Sequence, residues 1–430
     1  MASGAYFYVL YSTMLLTALL NLGLAIPAPH STTPDPPLHR RRLDMYSALG
    51  DSFAAGIAAG TPYDEDERND NLTCGRYNGA YGVKLRDNRA VMSTQFQFLA
   101  CSGSTIRDVR RGQLGDVHTD DDLVTVTIGG NNVDWHLVVN ACVYRFDGPR
   151  AGDCNEALDN TGRLINDPTV VFNPLLDTIQ ALVTKTLTTK IYVTGYAKFW
   201  NQVTTQCDNV SWNFWWTPGA SKMTRGLRQR MNDLLLQLNA QIRGAVLAAG
   251  SPRVFFVDYD GQFEGHRFCE EGVTEPQRRF QSRPNTWFFQ FNTPIGSFTS
   301  ANDGLTSSKS ELPNNNAING AQAGDASNAN LPASSPDDNI FVPPTFPANV
   351  FYDMIQAARA ASPDLEVNPI YAGANITVDH LGQIPMSLTK IFHPTSPGHA
   401  QIANTIATMI GVPLMLGGEL RPKISNSNLQ

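Results

Sequence analysis

The feature that most constrains the fold is a series of short β-rich runs, several stopping at glycine, with helical patterns between the later ones. Residues 45–49 (MYSAL) run into Gly50, 123–128 (LVTVTI) stop at Gly129-Gly130, and 190–194 (KIYVT) lead to Gly195; 253–258 (RVFFVD) form a fourth run. Short branched or aromatic runs bounded by glycine are strand signals. Helical patterns cover 173–187 and 221–249. In the second, Leu227, Met231, Leu234, Leu235, Leu238, Ile242 and Val246 recur at helical spacing. A last helix is expected over 399–410, after Pro397 and Gly398. Strands separated by helices of this length predict a parallel sheet covered on both faces.

The ends read differently. Residues 7–24 (FYVLYSTMLLTALLNLGL) are apolar and run into small residues around Ala25 and Ala28. This predicts a signal peptide over 1–28, although the n-region has no Lys or Arg. The alternative is an N-terminal membrane anchor, since the stretch is nearly long enough to span. The Pro-rich, basic segment that follows (29–42, ending Arg40-Arg41-Arg42) favours a cleaved leader and a short pro-segment. The main domain then covers 43–415, with a tail over 416–430. Within it, 297–345 is an Asn/Ser/Ala/Gly/Pro-rich insertion, read as a weakly ordered surface loop, with a lid as the functional alternative.

Six cysteines, Cys74, Cys101, Cys142, Cys154, Cys207 and Cys269, suit an oxidising, extracellular setting. Their pairing is not fixed by sequence, though neighbour pairing is the simplest scheme. Sequons at Asn71, Asn209 and Asn375 are candidate glycosylation sites. No zinc-ligand spacing occurs, so no metal and no cofactor is expected. A net charge of −7 without a basic patch argues against nucleic acid. Nothing after the leader is apolar enough for membrane insertion, and a monomer is expected.

Four short motifs fall at the ends of these runs. Gly50-Asp51-Ser52-Phe53 follows the first strand, where a serine hydroxyl is exposed at the sheet's C-terminal edge. Cys101-Ser102-Gly103-Ser104 is a loop whose glycine N–H can approach a substrate oxygen closely. Gly129-Gly130-Asn131-Asn132 ends LVTVTI, placing the Asn131 amide to donate into the crevice. Phe392-His393-Pro394-Thr395 precedes the last helix and can return a histidine to the sheet edge. Ser52 N–H, Gly103 N–H and the Asn131 amide are the donors a tetrahedral oxyanion needs, and His393 is a base for Ser52. Taken singly, Ser52 reads as well as a helix cap, Asn131 as a turn residue and His393 as a surface histidine.

In that order Ser52, Gly103, Asn131 and His393 resemble the four name-giving residues of the GDSL/SGNH hydrolase family. Gly195-Tyr196, Phe263-Glu264-Gly265-His266-Arg267 with Cys269, and FHPTSPGH look like its secreted, three-disulfide esterase/lipase branch. The resemblance covers roughly Tyr46 to Ile410 outside the insertion. It implies a three-layer α/β/α sandwich with a parallel sheet of about five strands, flavodoxin-like in order. It also implies neighbour pairing of the cysteines, with Cys74–Cys101 bracing the Gly103 loop. The family often carries an aspartate three residues before the catalytic histidine; here that residue is Lys390. The expectation is therefore a Ser52–His393 dyad whose histidine donates from Nδ1 to a backbone carbonyl near Lys390, as in some members of that branch. Asn132 stands where the family block usually has aspartate.

The expected function is secreted carboxylic ester hydrolysis on lipid-like or polymer esters. A carbohydrate acetylesterase is the nearest enzymatic alternative, and a catalytically inactive binding protein on the same scaffold is the alternative of another class. Asp51 is expected to hold its turn, His399 to be structural and His266 to pack beside the Cys269 bridge. The residues Trp200, Trp212, Phe214, Trp215 and Trp216 are expected to fill a secondary core near Cys207.

Overall fold

Five strands, β1 (Met45–Gly50), β2 (Gln95–Phe98), β3 (Leu123–Thr127), β4 (Lys190–Thr194) and β5 (Val254–Val257), form one parallel sheet in the order β2-β1-β3-β4-β5. The computed structural model describes residues 43–63, 74–88, 91, 93–216, 220–276, 285–291, 348–368, 371 and 390–411, all within the unit Arg42–Gln430. The regions 1–28, 29–42, 297–345 and 416–430, and the sequons Asn71 and Asn375, lie outside these residues. Asn209 lies within them and is exposed.

The central strands β1 and β3 are buried along their whole length, as strands covered on both faces must be. They pair from Tyr46↔Leu123 to Gly50↔Thr127. β3 alternates Val124 and Val126 with Thr125 and Thr127. The threonine hydroxyls are all partnered: Thr125 Oγ1 lies 2.8 Å from Tyr46 Oη, and Thr127 Oγ1 lies 2.7 Å from Tyr81 Oη and 2.6 Å from Thr194 Oγ1. Buried hydroxyls are tolerated because each finds a partner.

The principal helices are α1 (Ser52–Ala55), α2 (Tyr81–Arg86), α3 (Cys154–Asn166), α4 (Phe172–Lys185), α5 (Arg225–Ala248), α6 (Ala348–Ala361) and α7 (Ser396–Ile410). Strand order reverses direction after β2, so right-handed crossovers put the helices before and after that reversal on opposite faces. Accordingly α2 packs with α7, while α5 packs with α3 and α4. α2 reaches the sheet through Gly82, where a Cβ would stand 2.9 Å from Ala48 Cβ. α5 buries Met231, Leu234, Leu235, Leu238, Ile242 and Val246 as its spacing predicts. It begins at Arg225 rather than 221, because the Thr224 hydroxyl caps it by accepting from Leu227 N–H. α3 was not legible: it buries only Leu158, Thr161 and Ile165, too thin a stripe to stand out.

The cysteines pair as neighbours: Cys74–Cys101, Cys142–Cys154 and Cys207–Cys269, spanning 27, 12 and 62 residues. Chain-entropy arguments give each closure about 3 to 4 kcal/mol. Beside Cys269, the Phe268 ring packs tilted against Trp200 and edge-on to Trp212, with ring centroids 5.2 Å apart in both pairs. Trp200, Trp212, Phe214 and Trp215 are buried in this second core, but Trp216 is 57% exposed, so the expectation is corrected for that residue. Among the described residues no helix is long and apolar enough to cross a membrane.

Candidate active site

The switch point of the sheet lies between β1 and β3, whose connections leave in opposite directions and open a crevice at their C-terminal ends. Gly50 ends β1 at φ +134°, and a Cβ there would stand 2.1 Å from Thr127 O. Asp51 N–H then donates to Thr127 O at 2.9 Å. The Asp51 carboxylate caps α1 by accepting from Phe53 N–H at 2.9 Å. The turn is thus held by Asp51, which leaves Ser52 as the first helical residue, not as the cap. Ser52 is 8% exposed, and its first-turn N–H has no intrahelical acceptor.

The histidine comes from the far end of the chain. Residues 287–289 brace its loop: Phe392 N–H donates to Phe289 O, Phe289 N–H to His393 O, and Thr395 N–H to Trp287 O, at 2.9, 2.9 and 2.8 Å. Phe392 takes a left-handed φ of 66°. That conformation is costly for a bulky residue. Phe199, Trp200 and Phe268 hold its ring, at centroid distances of 5.0, 5.5 and 5.4 Å. The aromatic second core therefore fixes the residue next to His393.

His393 Nε2 lies 2.6 Å from Ser52 Oγ, and Nδ1 lies 3.1 Å from Ile391 O. The acceptor is thus the Ile391 carbonyl, next to Lys390; the Lys390 carbonyl accepts the His393 backbone N–H at 2.9 Å. Donation from Nδ1 leaves Nε2 as the proton acceptor facing the serine. Burial pushes His393 down from the usual imidazole value to about 4, against a small upward pull from the Ile391 and Lys390 carbonyls. Lys390 is itself buried, which lowers its ammonium to about 7, and it lies 5.9 Å from the Phe289 ring centroid.

Asn131 sits in the turn after β3 (Gly130–Val133), and its Nδ2 donates to Ser104 O at 2.9 Å. One amide hydrogen is therefore engaged within the protein, and Asn131 also lines the adjacent cavity. Gly103, at φ +83°, is tied in through Cys101 N–H, which donates to Gly50 O at 3.0 Å. It is not among the residues lining the adjacent cavity. Asn132 Oδ1 accepts from Ile106 N–H at 3.1 Å, which gives that departure from the family pattern a structural role. His399 is buried against Tyr81, at 6.3 Å between ring centroids. His266 stacks on Trp287 at 3.4 Å with Nδ1 2.7 Å from Asn285 O, and does not line the cavity.

A cavity of about 130 Å³ is lined by Ser52, Asn131 and His393 together with Phe53, Phe199, Leu235, Leu238 and Phe351. Leu235, Leu238 and Phe351 were not legible as site residues, since helical periodicity marks the first two only as core. Tyr196, also on the cavity wall, donates to Asp51 Oδ2 at 2.6 Å. Burial pushes the Asp51 carboxyl up to about 7, although Tyr196 and the Phe53 N–H pull it back. Among the described residues no group of His, Cys, Asp and Glu could hold a metal.

The low value of His393 fixes a sign for pH dependence. The free base persists below pH 6.5 and is lost only as pH falls toward about 4. A kcat/KM profile from pH 8 to 3.5 should therefore keep a limb near 4. A step near 7 that belongs to Asp51 should vanish in Asp51→Asn, whereas one that belongs to Lys390 should persist there. A single limb at 6.5 in both proteins would contradict this assignment.

A sequence profile of the GDSL-like Lipase/Acylhydrolase family matches residues 48–276. A lipase of Streptomyces rimosus is 34% identical over 134 residues, 30% of this chain but only 44% of that relative. Lipase 1 of Streptomyces coelicolor is 27% identical over 231 residues, 53% of this chain and 73% of its own length. Among solved structures, phospholipase A1 from Streptomyces albidoflavus aligns with 58% of this chain and 87% of its own, at 24% identity and TM-score 0.44. The extracellular lipase of Streptomyces rimosus aligns with 59% and 90%, at 23% identity and TM-score 0.45.

Proposed function

The chain belongs to the GDSL-like lipase/acylhydrolase family, and on that premise we propose that it is a secreted carboxylic ester hydrolase working through a Ser52–His393 dyad. The observation that carries this is the 2.6 Å contact between His393 Nε2 and Ser52 Oγ. Ser52 Oγ attacks the ester carbonyl carbon while its proton passes to His393 Nε2. The oxyanion rests on Ser52 N–H, Gly103 N–H and the remaining Asn131 amide hydrogen. Collapse expels the alcohol, which takes the proton from His393. Water then gives a proton to His393 and attacks the acyl-serine; the acid leaves and Ser52 regains its proton. The Ile391 carbonyl orients the imidazole without supplying a full charge. The three disulfides support an extracellular setting.

The cavity favours an acyl chain longer than acetate. Its 130 Å³ is close to the size of an apolar cavity that holds a benzene-sized molecule, so a chain of roughly six carbons fills it. Each buried methylene contributes about 0.8 kcal/mol. On p-nitrophenyl esters from acetate to palmitate, kcat/KM should rise about 200-fold from acetate to hexanoate, the worth of four buried methylenes. An organophosphonate should label Ser52. A maximum at acetate would favour the acetylesterase, and no turnover with no label would favour the binding protein.

A further inference from the structure

We propose that Tyr196 is a positioning residue that sets the Ser52 turn against the Asn131 turn, and that Asn239 of α5 fixes Tyr196 in turn. The inference rests on the acyl-transfer reading above. It concerns a problem that reading leaves open: nucleophile and oxyanion donors come from different strands, yet must be registered to a fraction of an ångström.

Below the site the two strand ends are tied through Asp51 N–H and Thr127 O. At the level of the site a phenol two residues past β4 provides a tie. The Tyr196 hydroxyl donates its proton to Asp51 Oδ2 at 2.6 Å and accepts from Gly130 N–H at 3.0 Å. The other Asp51 oxygen holds Phe53 N–H, in the same turn as Ser52. Gly130 is the peptide neighbour of Asn131. One hydroxyl therefore bridges the backbone on either side of the reacting centre, using both its donor and an acceptor site.

The phenol is itself fixed. Tyr196 is 4% exposed, and its ring meets the Phe53 ring edge-on at 4.9 Å. Its main chain is clamped by one amide: Tyr196 N–H donates to Asn239 Oδ1 at 2.8 Å, and Asn239 Nδ2 donates to Tyr196 O at 2.7 Å. The clamp needs the preceding glycine, because a Cβ at Gly195 would stand 2.8 Å from Asn239 Oδ1. Burial and the adjacent Asp51 carboxylate hold the phenol well above its ordinary pKa, so it remains a donor. The buried carboxylate in turn needs its donors.

A tyrosine that only filled space could become phenylalanine with loss of stability alone. A positioning tyrosine could not. The test uses the full chain, with active serines titrated by an organophosphonate so that kcat is expressed per reactive site. For Tyr196→Phe at pH 8, kcat per titrated serine should fall about 10- to 100-fold, with KM within about threefold of wild type. Asn239→Ala should move kcat the same way by a smaller factor, and it decides the matter by the same readout if Tyr196→Phe does not fold. A kcat per titrated serine within about threefold of wild type would overturn the proposal, whatever the change in melting temperature. Turnover abolished in Ser52→Ala but unchanged in Tyr196→Phe sinks the positioning role alone. Turnover retained in Ser52→Ala sinks the acyl-serine reading and the positioning role with it.

Discussion

Ser52→Ala should lower kcat on a p-nitrophenyl ester by about 10⁴- to 10⁶-fold, while KM changes little. The alanine removes the atom that forms the acyl bond and leaves the cavity walls, the Asn131 amide and the residue-52 N–H in place. His393→Ala should cost a comparable factor, since Ser52 Oγ then has no acceptor in place of the Nε2 now 2.6 Å away. The decisive measurement is the double variant. Residues that act as a unit are not additive, so Ser52→Ala/His393→Ala should be no worse than the more damaged single variant. Additive losses in the double variant would mean that the two side chains serve separate steps and that the dyad is wrongly drawn.

Gly50→Ala should prevent the protein from folding, or lower its melting temperature by well over 10 °C. Two independent penalties meet at that residue. Its φ of +134° is a conformation that side chains avoid, and the added Cβ would lie 2.1 Å from Thr127 O and 2.9 Å from Thr127 N. The clash is with the backbone of β3, so no rotamer relieves it. Relief requires parting β1 from β3 where Asp51 N–H meets Thr127 O, and where the Gln113 amide accepts from Gly50 N–H and donates to Gly50 O at 2.7 and 2.9 Å. Losses above about 4 kcal/mol arise from such combinations of strain and broken buried bonds. Gly115→Ala is the matched control, because nothing stands within 4 Å of a Cβ there. A Gly50→Ala protein melting within a few degrees of that control would show that the turn can yield.

The sheet was legible because strand signals survive burial. Four branched runs, three of them leading to glycine, marked strands to within a residue or two, while β2 (Gln95–Phe98) was not marked. The motif residues were legible because each falls at a strand end or a loop, where a conspicuous glycine, asparagine or histidine has few packing reasons to be there. What stayed hidden depends on contacts distant in sequence. Nothing local says that Ile391 rather than Lys390 offers its carbonyl to Nδ1; that follows from the left-handed turn at Phe392. Residues 287–289 gave no strand signal, since their pairing with the histidine loop is a short ladder rather than part of the sheet. The helical spacing of Leu235 and Leu238 marks them as core, and they are core, yet they also line the cavity. Burial periodicity cannot separate a residue that packs on protein from one that also packs on a ligand.

Ser52 and His393 are separated by 341 residues, and this has a consequence for how the protein is made. A ribosome that has released residues 1–392 has already produced the nucleophile, both oxyanion turns, all five strands and Tyr196. That nascent chain still has no general base, and the loop that will carry it cannot yet reach the crevice. On the dyad reading, the growing polypeptide stays hydrolytically silent until the segment carrying His393 has been made and has docked beside Ser52.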